Sequence, residues 1–222
     1  MLNQRLRVLS AVVLTGLAVH LIPDRRLTSI VLLVVWWLLF FPLTATEYLL
    51  FPLAAAFFTI QNYVCLKAGL FAFQSHDFLL MPYYEPLLWG FYFISMKRFV
   101  FGDAADYAPL DIRSVVGLVI TSIAFSIFSS APRPLLVATA GSTLLLVTLF
   151  HTTSDLSCAL FALILGFIVE LFGVRTGLWS YLAPDFLGIP FWFATMWLSV
   201  GLLGRRFAMP AAAWLGRHVQ RL

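Results

Sequence analysis

The chain has 222 residues, of which 62% are hydrophobic and 11% charged, against about 25% charged in soluble domains. With mean hydropathy at +0.96, that excludes a soluble globular domain and leaves no length for a second, soluble one. The net charge of +4 does not indicate a nucleic-acid partner, because the basic residues stand singly between apolar runs rather than on one solvated face.

The pattern predicts an all-α protein: a polytopic transmembrane helix bundle of about eight spans with no sheet, forming a single domain over residues 1–206. Arg5 and Arg7 precede the first apolar core as in a signal peptide, but no small-residue cleavage site follows, so 6–22 reads as a retained span. The remaining spans fall near 27–42, 47–66, 78–97, 113–131, 134–151, 155–173 and 189–206. Breaks occur at Pro23 and Asp24, at Pro42, over 74–77 and 102–111, at Arg133 and Pro134, and over 176–190. A seven-span variant, with 27–66 bent or re-entrant, is the alternative. Residues 207–222, with Trp214, Arg217, His218 and Arg221, read as an interfacial amphipathic tail. Cys65 and Cys158 lie inside apolar stretches and form neither a disulfide framework nor a metal spacing.

Nine basic residues (Arg5, Arg7, Lys97, Arg98, Arg113, Arg205, Arg206, Arg217, Arg221) fall on one side of this topology and five (Arg25, Arg26, Lys67, Arg133, Arg175) on the other. The excess places both termini in the cytoplasm of a bacterial inner membrane. No fixed-period repeat is evident. Glu85 and Glu170 are each followed by a Trp and a Tyr at different spacings, a faint trace of an inverted repeat.

An ionisable group at bilayer depth costs at least about 2.5 kcal/mol, so it marks a site or a buried pair. Glu85 stands between Pro82 and Pro86, and an interrupted helix lines a cavity; Trp89 and Tyr92 follow on its face, with Tyr84 adjacent. Glu170 precedes Arg175, a candidate ion-pair partner, and then Trp179, Tyr181 and Trp192. The topology puts both carboxyls in one outer-half cavity. Arg175 would make Glu170 a base, whereas aromatic surroundings would make Glu85 an acid. The alternative is structural: an aromatic packing face around Glu85 and a Glu170–Arg175 pair.

At the other end, His151 and Asp155 share a helix face and, with Glu47, could hold a metal; a helix cap beginning at Thr152 is the competing reading.

Residues 170–192, with Glu170, Gly173, Thr176, Gly177, Trp179, Tyr181, Gly188, Pro190 and Trp192, resemble the late-span signature of carotenoid-biosynthesis membrane proteins of the carotenoid hydratase kind. They are also similar to a family of uncharacterised bacterial membrane proteins with a Glu-Leu-Phe and Gly-x-Trp-x-Tyr pattern. The resemblance implies cofactor-free acid–base chemistry on an isoprenoid double bond: hydration, cyclisation or isomerisation. Glu85 would donate the proton, and Glu170 would orient water or take the proton back. Arg175 and the rings of Tyr84, Trp89, Tyr92, Trp179, Tyr181 and Trp192 would hold a lipophilic substrate and its carbocation. Two further readings stay open: a binder or carrier of a lipophilic or small solute, working as a homo-oligomer, and a metal-dependent membrane hydrolase using His151, Asp155 and Glu47.

Overall fold

The computed structural model describes residues 2–102, 107 and 109–219; part of the 102–111 break and Arg221 lie outside the described residues. Its helices are α1 (Leu2–Leu21), α2 (Arg25–Phe40), α3 (Ala45–Lys67), α4 (Glu85–Phe101), α5 (Ile112–Phe128), α6 (Pro132–Leu149), α7 (Thr153–Arg175) and α8 (Trp192–Leu203). A π-helical turn, Gly204–Ala208, carries α8 without a break into α9 (Met209–Val219). Met209, Ala212 and Ala213 on α9 are buried, whereas Trp214, Arg217 and His218 are exposed.

Four of these helices, α1, α3, α6 and α7, are long and apolar enough to cross a membrane. Their outer faces carry bare apolar side chains: Val137 is 73% exposed, Leu144 66% and Leu160 55%. Such faces would drive aggregation in water, and they are the ordinary surface of a bundle in lipid. The chain is an integral membrane protein built as a helical bundle. The shorter α4 carries two charges, Lys97 and Arg98, which are buried against protein rather than lipid.

The expectation of no sheet needs correction. Strand β1 (Phe71–Phe73) pairs antiparallel with β2 (Trp179–Tyr181) through Phe71 with Tyr181, Ala72 with Ser180 and Phe73 with Trp179. Three-residue strands are too short for an alternation to stand out between apolar runs. The fourth and eighth spans also start later than predicted. Residues 74–84 and 182–191 are loops, each folded back by a bridge, Phe78 with Met81 and Phe186 with Ile189. Pro86 sits in the first turn of α4, where its missing N–H costs nothing, so the helix is not interrupted at Glu85.

A larger correction concerns repetition. The element order α1-α2-α3-β1-α4 recurs as α5-α6-α7-β2-α8, and equivalent residues lie at one constant offset along the chain. It relates Thr44 to Thr152, Glu47 to Asp155, Asn62 to Glu170, Lys67 to Arg175, Asp77 to Asp185, Pro82 to Pro190, Trp89 to Trp197 and Arg98 to Arg206. Both halves use the same devices. Capping boxes at Thr44 with Glu47 and at Thr152 with Asp155 start α3 and α7. Gly69 (φ 76°) and Gly177 (φ 72°) then turn each helix into its strand in the left-handed region that favours glycine. With four helices per half, the repeats are parallel and related by an approximate two-fold axis. The pairing of equivalent Ala72 and Ser180 at the ribbon's centre is what that axis generates. The inverted repeat suggested by Glu85 and Glu170 is therefore not the relation present: Glu170 is equivalent to Asn62, and Glu85 to Phe193.

Opposite the ribbon, each half closes on a buried ion pair. Glu47 accepts from Arg98 Nε (2.5 Å) and Nη2 (2.7 Å) and from Lys97 Nζ (3.0 Å). Asp155 accepts from Arg206 Nε (2.6 Å) and Nη2 (2.5 Å). Outside the spans at the ribbon end, Arg25 donates two hydrogen bonds to Asp77 and holds its carboxyl below the usual carboxylate range.

Candidate functional site

Helices from both repeats and the ribbon surround a central cavity of about 520 Å³. Its walls are mostly apolar. Glu85, Trp89, Tyr92, Glu170, Trp179, Tyr181 and Trp192 all line it. Tyr84 and Arg175 do not. Tyr84 packs instead with Phe91 and Ile94, and Arg175 ends α7 exposed.

The two carboxyls are built alike from different parts. Glu85 is the first residue of α4, and its Oε1 accepts from Asn62 Nδ2 (3.0 Å) and from Trp89 Nε1 (3.1 Å) one helical turn on. Glu170 lies in the last turns of α7, and its Oε2 accepts from Trp179 Nε1 (2.8 Å) and from the Tyr181 hydroxyl. Both are about nine-tenths buried. In each case neutral donors hold one oxygen, and the other takes no hydrogen bond from the described residues. The expected Glu170–Arg175 pair is absent among them, because α7's last turn carries Arg175 out past the ribbon while Glu170 faces inward. The contrast of acid and base built on that pair goes with it.

The strand residues are placed by close packing. A Cβ at Gly173 would lie 2.0 Å from the Trp179 ring, so glycine there is what lets the indole reach Glu170. Gly173→Ala is expected to displace Trp179 and to cost about 1–3 kcal/mol. Melting in detergent followed by tryptophan emission measures both effects; an unshifted, equally stable variant would show that the indole position does not depend on this glycine.

Residues the sequence reading passed over complete the site. Asn62 and Gln61 come from α3, and Ser95 and Trp197 from α4 and α8. Trp197 stacks on Trp89 with centroids 5.4 Å apart, and Trp89 stacks on Phe58 at 3.9 Å. The constant offset that makes Asn62 equivalent to Glu170 and Trp197 equivalent to Trp89 is the signal that could have found two of them.

The metal-site alternative does not assemble. Glu47 and Asp155 occupy equivalent positions in different repeats, each saturated by its own cations. His151 is exposed, with its ring against the Thr148 carbonyl. No group of three metal-ligating side chains forms among the described residues.

Neither a protein-family model nor a curated protein matches this sequence. Solved structures do. The Insig homologue MvINS from Mycobacterium vanbaalenii superposes with a TM-score of 0.66 at 14% identity, covering 77% of this chain and 96% of that one. A cross-linked MvINS trimer gives the same score and identity over 79% and 96%. This overturns the carotenoid hydratase resemblance and the isoprenoid-modifying enzyme built on it. Of the residues that carried it, Gly173, Gly177, Trp179 and Tyr181 turn α7 into the ribbon and seat its rings, and Gly188 folds the loop before α8 against Val174. At this identity the likeness concerns the fold alone: the chain is a duplicated helical membrane bundle similar to an Insig homologue.

Proposed function

We propose that the chain is an integral-membrane binding protein that holds a lipophilic small molecule in its central cavity. Glu85 and Glu170 are the polar anchors, and Trp89, Tyr92, Trp179, Tyr181 and Trp192 form walls. The observation that carries this reading is one apolar cavity of ligand size receiving a carboxyl from each repeat, each with one oxygen uncommitted. Access supports it as well. Val13, Leu17 and Ile168 line the cavity yet are 60%, 48% and 51% exposed, so it opens sideways between α1 and α7 toward lipid.

The finer assignments belong to the same proposal. The membrane is a bacterial inner membrane, with the ribbon on the outer face and both termini cytoplasmic, as the basic-residue asymmetry favours. Residues 1–206 form the transmembrane domain, and the exposed face of α9 lies along the interface. A homo-oligomer is the expected assembly, given the cross-linked MvINS trimer of the same fold.

Native mass spectrometry of the detergent-purified protein with added oleyl alcohol tests the binding reading. Ala54 is a small, buried residue of the cavity wall, and Ala54→Phe fills the space. Wild type is expected to retain the alcohol, and Ala54→Phe to lose it by at least about tenfold. Equal retention by a folded Ala54→Phe would end the assignment.

A further inference from the structure

The cavity is acidic in a way the rest of the bundle is not. Glu85 and Glu170 are its acidic side chains, and no Lys, Arg or His lines it among the described residues. At the opposite end the same chain gives Glu47 both Lys97 and Arg98, and gives Asp155 Arg206. Cations therefore accompany the buried carboxylates that tie helices together and are missing from the two that face the cavity.

The protein's own donors do not complete these carboxyls. Asn62 and Trp89 meet at one oxygen of Glu85, and Trp179 and Tyr181 at one oxygen of Glu170, which leaves Oε2 of Glu85 and Oε1 of Glu170 without a protein donor. An independent observation also points to a polar ligand group, one that accepts a hydrogen bond. Trp197, 3% exposed and in the cavity lining, has its Nε1 unpartnered. Its equivalent, Trp89, donates to Glu85; the residue equivalent to Glu85 in the second half is Phe193, so the protein holds no matching acceptor for Trp197.

We propose that the ligand carries an ammonium head with an oxygen acceptor beside it on an apolar body, and that the ammonium sits between Glu85 and Glu170 while the acceptor meets Trp197 Nε1. This rests on the cavity being a lipophile site and names what it selects. An ammonium brings three N–H donors to two uncommitted carboxyl oxygens and supplies the missing positive charge. Charge-assisted hydrogen bonds in a water-poor cavity are the strongest contacts open to such a head, and a hydroxyl of the same size forms weaker ones. The aliphatic body extends along Phe58 and Phe125 within the lining.

Oleylamine and oleyl alcohol share one chain and differ only in the head, so they isolate the inference. Binding of each to the full chain in a non-ionic detergent at neutral pH is expected to favour the amine by at least about tenfold. In Glu85→Gln with Glu170→Gln, which keeps side-chain size, the ratio of amine to alcohol binding is expected to fall to about one, whatever the change in absolute affinity. Equal or better binding of the alcohol by wild type overturns the ammonium head and leaves the cavity reading intact. A preference that survives the double substitution also overturns it, because the charge would then act elsewhere. Binding of neither probe removes the lipophile site and this inference together.

Discussion

Glu47→Ala is expected to destabilise the protein by about 3–5 kcal/mol, among the largest single effects available in this chain. Glu47 is fully buried, and so nearly are its partners, Lys97 at 1% and Arg98 at 4% exposure. Its carboxylate meets the Arg98 fork and Lys97 and also accepts from the Thr44 backbone N–H at 2.8 Å. Removing it strands two like charges that cannot reach water and deletes the capping box that starts α3. For a chain of this length the loss corresponds to a fall in Tm of roughly 10 °C. The duplication supplies an internal control. Asp155 does the same work in α7, but its partner Arg206 is 21% exposed and can turn toward solvent, so Asp155→Ala should cost clearly less. Melting both variants in one detergent is decisive: an equal loss, or none at Glu47, would refute the account of the buried pair.

Gly201→Ala is the second large effect, for a different reason. A Cβ on Gly201 would stand 2.4 Å from the Cys158 carbonyl oxygen and 2.6 Å from the Ala159 Cα. These are backbone atoms of α7, so no side chain can swing aside and α8 must move away from α7. Overpacking of this kind costs about 1–3 kcal/mol, and the upper end is expected because Cys158 and Ala159 are buried. Gly141, in the middle of α6, has nothing within 4 Å of the same position. Gly141→Ala should raise stability by about 0.5–1 kcal/mol through helix propensity alone. Opposite signs for the two substitutions are the result to look for; like signs would show that the α7–α8 approach is looser than described. Because α8 also carries Trp197, the Gly201 variant should weaken lipophile binding as well.

The membrane bundle was legible in the sequence because lipid imposes long apolar runs that nothing else explains, and those runs carry through to the helices. Glu85, Glu170 and the aromatic residues after them stood out for the same reason, since a carboxyl is conspicuous in an apolar span. Their partners were not legible. Arg175 was the nearest cation in sequence to Glu170, yet the turn through Gly177 brings Trp179 and Tyr181 back to that carboxyl and leaves Arg175 outside. Proximity along the chain is a poor guide where a helix ends in a reversal.

The ribbon and the duplication were decided only in three dimensions. Each strand is three residues long and has no partner within its own half, so its hydrogen bonds exist only once the two-fold arrangement brings the halves together. The repeat escaped detection because its halves diverged where the cavity needed them unequal. Asn62 stands against Glu170, and Glu85 against Phe193, so the residues that drew most attention were those that hid the symmetry. Local hydropathy therefore determined that the chain crosses a membrane as helices. Packing about the two-fold axis alone decided which side chains share a cavity, because that axis joins residues separated by half the chain.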